Sequence, residues 1–401
     1  MPKLVRNGYQ GKIYCTQATA ELTRIILVDA AHLQEEDATY KKERHRREGH
    51  RGPYPEVPLY TVKDAEAVAP HFSPISYTEC ALAGNIFQGC YFEAGHVLGA
   101  ATVNINILKN HGQSHPIIFS GDVGEQHRPI INDPELFKEA EYIVIESTYG
   151  NRSHEEHRDI DIQNRLRECI NRTVSAGGNI IIPSFALERS QELLYHLNEL
   201  FLKKEIPLLP VFLDSPMAIA ITEVFQRHTD LFDNEMAKRL YQGNSFFNFR
   251  NLKMVQSTEE SREINNHKGS AIIIAGSGMV TGGRIKHHIV NNIERPESTI
   301  LFVGYQAEGT PGRILLDGAR EFRLLGEMHR VRARIEKIDG FSSHADYEGL
   351  LAWLSGIRKP PRLVFITHGE EKAAAAFAAI LRERTGWNVH VPHYQETVEL
   401  G

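Results

Sequence analysis

Short apolar runs rich in β-branched residues recur along this chain, and each ends in a polar or glycine-rich turn. Such short, continuously apolar runs are typical of buried strands. Helical patterns separate several of them, so that helix and strand alternate from about residue 160 to residue 305. This alternation predicts a mainly parallel sheet with helices on both faces. The predicted strands are Ile117–Phe119, Tyr142–Ile145, Asn179–Ile182, Val211–Leu213, Ala271–Ile274, Ile300–Val303 and Leu363–Ile366.

The pattern differs on either side of this alternating region. Strands and turns dominate before about residue 150, whereas one strand and the alanine-rich helix Glu371–Arg384 follow residue 360. Inside the region, the apolar residues from Ile162 to Val174 recur at four-residue spacing, and Gly177-Gly178 ends that helix. We therefore predict an α/β protein in which one domain is inserted into another.

Charge and cysteine content restrict the classes of partner and compartment. The formal net charge of -6 gives no global basic field for nucleic acid, although a local basic groove is compatible with it. The basic run from Lys41 to Arg51 could grip phosphates, but we expect a solvated, mobile loop. No apolar run approaches the ~18 residues that span a membrane. Because Cys15, Cys80, Cys90 and Cys169 form no disulfide-scaffold pattern, we expect a reduced, cytoplasmic protein with no membrane partner.

Polar residues with metal-binding or acid–base chemistry follow four of the predicted strands. They are Asp122, Glu146, Asp214 and His368. Ligands collect at the carboxyl ends of parallel strands, so the four together predict a polar rim.

Histidines and carboxylates in short polar turns are the candidate site residues. His96 lies between glycines, Asp122 lies between two more, and His344 stands two residues before a carboxylate. Neutral imidazole and carboxylate are common zinc ligands. Taken singly, each turn is equally compatible with a hydrogen-bonded histidine or an ordinary Asp-Gly turn.

In their order along the chain, these turns resemble the successive motifs of β-CASP metallo-β-lactamase ribonucleases, the family of cleavage-and-polyadenylation-type nucleases. The matching phrases are GHVLGA from Gly95, SGDVG from Ser120, ESTYG from Glu146, GFSSHAD from Gly340 and THGEE from Thr367. Further phrases of the family stand between them: Pro183–Ala186 with Arg189 and Gln191-Glu192, Asp214–Ala218, Gly276–Met279 and Gly282–Arg284.

The resemblance implies a fold and its division into segments. We expect a metallo-β-lactamase αββα sandwich with an inserted β-CASP α/β domain of mainly parallel sheet. Residues 1–158 would form the first part of the metallo-β-lactamase domain, 159–328 the β-CASP domain, and 329–401 the C-terminal part of the first domain.

The resemblance also implies roles for individual residues. His96, Asp122 and His368 match metal ligands, with Asp122 bridging two zinc ions and so also counted as catalytic. Glu146 and His344 match the pair that protonates the leaving oxygen, which agrees with the logic of a two-metal site.

Phosphate contacts are expected in the inserted domain. A glycine-rich turn with Ser277 and Gly278 precedes a helix, and such backbone N–H groups make an anion site. Arg284 could fork onto a phosphate. Arg189 is a second candidate, with a surface ion pair as the alternative.

One departure from the family affects the metal site. The chain contains no His-x-His-x-Asp-His motif, which supplies most ligands of both ions in the family. Since Pro2–Tyr9 resembles the stretch that follows this motif, we expect the motif to lie ahead of Met1 and the chain to be N-terminally truncated. The chain as given is then expected to bind at most one zinc weakly and to be impaired as an enzyme.

The expected function is zinc-dependent hydrolysis of RNA, with RNA as partner and a homodimer as the candidate assembly. A non-catalytic RNA- or nuclease-binding subunit of the same fold is the alternative. Glu146 and His344 favour the enzyme, because a scaffold needs no acid pair. Hydrolysis of a small ester or thioester is a third reading, which the phosphate-binding phrases of the inserted domain disfavour.

Overall fold

A computed structural model describes residues 1–49, 52, 54–84, 86–108, 114–153, 159–243 and 245–400. Arg51, the end of the basic run, lies outside the described residues, as do His50 and His111. The strands are β1 Ile13–Cys15, β2 Phe72–Pro74, β3 Cys80–Ala83, β4 Phe87–Glu93, β5 Ala101–Leu108, β6 Ser114–Phe119, β7 Tyr142–Ile145, β8 Ile180–Pro183, β9 Val211–Asp214, β10 Leu252–Met254, β11 Ile272–Ala275, β12 Thr299–Phe302, β13 Glu321–Leu324, β14 Glu327–Arg330, β15 Arg334–Lys337, β16 Leu363–Ile366 and β17 Val389–His390.

Helices fill most of the connections. They are α1 Pro2–Arg6, α2 Gln17–Glu48, α3 Val62–Glu66, α4 Asp159–Ser175, α5 Arg189–Leu202, α6 Pro216–Arg227, α7 Asn234–Tyr241, α8 Thr258–Glu263, α9 Ile285–Asn292, α10 Pro311–Leu316, α11 Tyr347–Leu354 and α12 Glu371–Thr385, with single 3₁₀ turns at Ala69–His71, Thr229–Leu231 and Ile264–Asn266. None of the helices in these described ranges combines the length and the apolar character that crossing a membrane requires.

The first sheet has seven strands in the order β17-β16-β7-β6-β5-β4-β3. Pairing from β3 to β6 is antiparallel, whereas β6, β7, β16 and β17 run parallel. The core of this part joins Ile143, Ile145 and Val364 of the sheet to Trp353 of α11 and Phe377 of α12.

The second sheet has six strands in the order β10-β9-β11-β8-β12-β15, and all of them are parallel. Each face buries alternate residues, as the period of a strand requires. Ile180 and Ile182 join α4 and α5 in one core, whereas Ile181 joins α9 in another. The α/β class and the parallel sheet with helices on both faces are thereby confirmed.

The second sheet extends past residue 328, because β15 pairs with β12. The segment bounds 1–158, 159–328 and 329–401 therefore stay a prediction. The remaining strands form two small pairs, β1 with β2 and β13 with β14.

Two expectations about the first hundred residues are wrong. The basic run up to Arg47 belongs to α2 and is not a loop, because ion pairs such as Lys41–Asp37 and Arg44–Glu48 lie one helical turn apart. Cys80 and Cys90 form a disulfide, since β3 and β4 pair with these two residues directly opposite each other. The sequence offered no register for that hairpin, so the pairing could not be foreseen.

Candidate functional site

Three candidate residues meet at one edge of the first sheet. Asp122, Glu146 and His368 follow β6, β7 and β16, which are adjacent parallel strands. Because the carboxyl ends of such strands lie level, their oxygen and nitrogen atoms come within 4.8 Å of one another. Asp214, the fourth residue of the predicted rim, is the last residue of β9 in the other sheet and does not join them.

His96 reaches the same edge because its turn packs closely on the loop that carries Asp122. A Cβ atom on Gly124 would lie 1.7 Å from the carbonyl oxygen of Gly95, so only glycine permits this approach. The Gly124 N–H donates to the carbonyl of Ala94 at 2.8 Å. As a result, His96 Nε2 lies 3.7 Å from Asp122 Oδ2, while His368 Nδ1 lies 3.1 Å from Oδ1.

His344 is held by a buried carboxylate. Its loop lies along the Asp122 loop, where the Ala345 N–H donates to the carbonyl of Val123 at 2.8 Å. His344 Nδ1 then lies 3.1 Å from both carboxylate oxygens of Glu146, which is only 1% exposed. The Val123 N–H donates to the same carboxylate at 2.7 Å, so Glu146 is fixed before any substrate binds.

The interaction between Glu146 and His344 stabilises the charged form of both side chains. Burial lowers the pKa of His344, but the hydrogen bond and charge of Glu146 outweigh it and the net pKa is raised. Burial raises the pKa of Glu146, but the hydrogen bond and charge of His344 outweigh it and the net pKa is lowered. For His96, burial and the neighbouring His344 charge lower the pKa to about 4. Near neutral pH, His96 is therefore the neutral imidazole that a metal needs.

The donor atoms fit a metal ion with nitrogen and oxygen ligands. Among the described residues, two groups bring donors together: His96, Asp122 and His344, and Asp122, Glu146 and His368. Asp122 belongs to both, which is the position expected of a bridging carboxylate. Imidazole nitrogens with one carboxylate are a donor set that zinc accepts.

The glycine-rich turn lies between β11 and α9. It belongs to the lobe built on the six-stranded sheet, which we call the second lobe; the lobe built on the seven-stranded sheet is the first lobe. Ser277 Oγ accepts the Gly282 N–H at 3.1 Å, and Gln306 Nε2 donates to the carbonyl of Gly278 at 2.9 Å. The ring of Phe185 covers Gly278, where a Cβ atom would come within 2.8 Å of it. The turn is thus shaped by its own contacts and presents Ser277 and Gly278 together.

Arg284 sits behind this turn and already has partners. It donates to Asp214 Oδ1 at 2.7 Å and to the carbonyl of Gln256 at 2.6 Å, with part of its side chain still exposed. His288 Nε2 contacts the other oxygen of Asp214 at 2.6 Å. Asp214 therefore anchors Arg284 and contributes nothing to the rim of the first sheet.

Arg189 lies in a buried ionic cluster between the two lobes and not in a surface ion pair. It contacts Glu192, which also contacts Arg128, and its guanidinium lies 5.5 Å over the ring of Phe341. Arg128 donates in turn to the carbonyl of Gly340 at 2.6 Å, at the start of the His344 loop. Arg128 could not be predicted as part of this cluster from the sequence, because no local motif surrounds it.

Comparisons with known proteins agree with this architecture. The Beta-Casp domain family model matches residues 190–315, and the model described as Zn-dependent metallo-hydrolase RNA specificity domain matches residues 328–392. Ribonuclease TTHA0252 of Thermus thermophilus is 33% identical over 400 residues, covering 100% of this chain and 84% of that protein.

Archaeal proteins are similar over the same length. Transcription termination factor FttA of Methanosarcina mazei is 30% identical over 409 residues, and that of Methanocaldococcus jannaschii is 28% identical over 408 residues. Each alignment covers 100% of this chain but only 61% of the archaeal protein.

Proposed function

Because this chain belongs to the β-CASP family of metallo-β-lactamase-fold RNA nucleases, we propose that it hydrolyses RNA phosphodiester bonds at the edge of the first sheet, with zinc as its metal. The observation that carries the proposal is the buried Glu146 carboxylate that holds His344 beside the donors His96, Asp122 and His368. A protein that only binds RNA has no use for a held imidazole next to metal donors.

The residues divide the work of hydrolysis. Held by His96, Asp122 and His368, zinc would supply Lewis-acid polarisation of a phosphoryl oxygen. Glu146 occupies Nδ1 of His344, which leaves Nε2 to give a proton to the leaving oxygen. The phosphorus–oxygen bond to that oxygen breaks as the oxygen of water joins phosphorus and water releases one proton to the solvent. The raised pKa of His344 keeps the proton for the leaving oxygen available.

The second lobe would hold the RNA backbone. We assign this role to Ser277 and Gly278, with the exposed edge of Arg284 behind them. Arg284→Ala should weaken binding of different RNA sequences alike and lower the salt dependence by up to about one unit of slope. An unchanged slope would leave Arg284 only as a support of the turn.

For Arg189, enclosed by Glu192 and Phe341, we propose a positioning role in place of direct phosphate contact.

A non-catalytic RNA-binding role is the second candidate. It is favoured by the small number of metal ligands, because once Glu146 and His344 are assigned to the acid pair, the described residues leave only His96, Asp122 and His368 in the two donor groups. An impaired turnover in this chain follows from the same count. The predicted homodimer, which light scattering of the purified chain would test, is compatible with either role.

The proposal is tested by RNA cleavage with zinc in excess. The chain should cut single-stranded RNA, and Asp122→Asn should abolish both cleavage and zinc retention, because this carboxylate belongs to both donor groups. Asp230→Asn is the matched control, since Asp230 is an exposed carboxylate on the second lobe. RNA binding that persists without any cleavage, even with zinc in excess, would favour the second candidate.

A further inference from the structure

A cavity of about 250 Å³ opens beside His344. The described residues in its wall include His344 but not His96, Asp122 or His368. Its wall also includes Thr148, whose Oγ1 lies 3.3 Å from His368 Nδ1, so the cavity opens next to the proposed acid and at the edge of the metal-donor group.

The walls of this cavity combine aromatic rings with a cation. The ring of Tyr149 lies 6.0 Å from that of His344 at an interplanar angle of 78°, and the exposed Arg152 guanidinium lies 5.7 Å over Tyr149. Tyr305, which belongs to the second lobe, also lines the cavity, and 42% of its surface is exposed. Its hydroxyl oxygen lies 3.5 Å from Glu370. Aromatic surface of this kind, left open inside a cleft, is what nucleobases stack on.

A neighbouring cavity continues the same path. It has about 150 Å³ of volume and shares Tyr149, Arg152 and Tyr305 with the first, while its far wall is formed by Phe341 and Ser342. The three shared residues therefore stand at a junction that a chain of nucleotides could follow past the acid pair.

Hydrolysis of a phosphodiester places water and the leaving oxygen on opposite sides of phosphorus. Because His344 gives its proton to the leaving oxygen, that oxygen lies within reach of His344 and therefore beside this cavity. We propose that the cavity is a nucleobase subsite: it binds the base of the nucleotide that carries the leaving oxygen, stacked between Tyr305 and Tyr149, with Arg152 on the adjoining phosphate. This inference rests on the proposed RNA hydrolysis.

The first test compares single-stranded RNA with and without a base at the position that carries the leaving oxygen. For the unaltered chain, removal of that base should lower kcat/KM by about 5- to 150-fold, the range of one base stacked on an aromatic ring. Tyr305→Ala should lower kcat/KM on intact RNA by a similar factor. In this variant, removal of the base from the RNA should then cause no further decrease in kcat/KM. Tyr305→Phe keeps the ring and should stay close to the unaltered chain, as should Tyr241→Ala, which removes a tyrosine that is 95% exposed.

A binding measurement separates this inference from the proposed function. RNA oligonucleotides carrying 2-aminopurine at successive positions are bound to the chain without added metal. Fluorescence should be quenched at one position, and Tyr305→Ala should abolish that quenching while Tyr241→Ala leaves it intact. Quenching that depends on Tyr305 supports the subsite even if the chain cuts no RNA. If RNA binds without such quenching, or if Tyr305→Ala remains as sensitive to the missing base as the unaltered chain, the subsite is wrong.

Discussion

The position of the His344 imidazole is compatible with two roles, that of a general acid and that of a metal ligand. Its Nδ1 contacts Glu146, which favours an acid, yet its ring centroid lies 4.3 Å from that of His96 and it shares a donor group with Asp122. A metal ligand and an acid differ in what their loss removes. Loss of a ligand weakens metal binding, whereas loss of an acid slows proton transfer alone.

We expect His344→Ala to lower turnover by roughly 10²- to 10⁴-fold while zinc content and RNA affinity stay nearly unchanged. The reason is that Glu146 already occupies one ring nitrogen, so that the other is reserved for the leaving oxygen. Zinc content is measured on the purified variant, and turnover with zinc in excess. Glu146→Gln should reproduce the slower turnover. If zinc is lost together with activity in His344→Ala, His344 is a ligand.

For single residues, the sequence was sufficient to predict which side chains follow the strands at the sheet edge. It was not sufficient to predict which side chains contact each other. Asp122, Glu146 and His368 were foreseeable as neighbours, because the carboxyl ends of parallel strands meet. Asp214 has the same setting but belongs to the other sheet, and strand order is not written in any local pattern. Arg128 was not foreseeable, because its partners Glu192 and Gly340 are distant in sequence.

Among the elements, α5 connects the two lobes through its first turn. Glu188, at the N-terminal end of the helix, accepts the N–H of Leu98 at 3.3 Å, two residues after His96. Glu192, one turn later, holds Arg128 and through it the start of the His344 loop. The helix therefore touches both turns that carry site histidines. Glu188 itself has a positive φ of 61° with ψ of -54°, in a γ-turn closed by the Arg189 N–H, which donates to the carbonyl of Leu187 at 2.7 Å.

Glu188 should make the stability of the protein depend on pH. Burial and then the charge of Glu192 raise its pKa to about 8, so the folded protein holds a proton that the unfolded chain releases near its ordinary value of 4.5. Between these two pH values the folded state binds more protons, and stability should fall as pH rises, by roughly 1 kcal/mol per pH unit. Glu188→Gln should flatten this slope in urea unfolding measured from pH 5 to pH 8.

Glu223→Gln, which changes an exposed carboxylate on α6, is the control and should keep the slope of the unaltered chain. A slope that is the same in Glu188→Gln would mean that Glu188 is ionised in the folded protein. Neither outcome could be anticipated from sequence, where Glu188 is one glutamate among many.

Helices with a regular spacing of apolar residues could be predicted from the sequence. Features that depend on pairing with another element could not. The helix from Ile162 and the alanine-rich helix after Glu371 appear where their apolar spacing placed them. In contrast, α2 is long, charged and weakly patterned, so its ion pairs one turn apart were the only signal of a helix. The Cys80–Cys90 disulfide depends on the register of β3 and β4, which only the folded sheet defines.

For the whole molecule, the two sheets divide the site between them. In the proposed site, the first sheet would supply the metal donors and the acid pair, while the second lobe would supply the turn with Ser277 and the ring of Tyr305. The core under Ile143 belongs to the first lobe, whereas the core around Ile180 also includes Leu98 and Ile130 from the first part of the chain. Apolar packing and charged groups such as Arg128 and Glu192 therefore both join the lobes. Buried ion pairs at such a junction fix geometry more than they add stability. Because the proposed ligands His96, Asp122 and His368 all lie in the first lobe, metal binding can be measured separately from RNA binding.

We expect the purified chain to bind about one zinc ion, and weakly. His96, Asp122 and His368 give three ligands where a closed zinc site takes roughly four, and Asp122 alone would have to offset the repulsion of two cations. Zinc should therefore be removed by a mild chelator, cleavage should rise with added zinc, and His96→Ala should abolish retention. His71→Ala is the control, because His71 contacts the carbonyl of Gly11. Two zinc ions that survive the chelator, with fast cleavage, would require donors beyond these three. His45 would not be the first choice, since its Nδ1 contacts Glu56, whereas His344 and Glu146 belong to the same donor groups and would be the first candidates among the described residues.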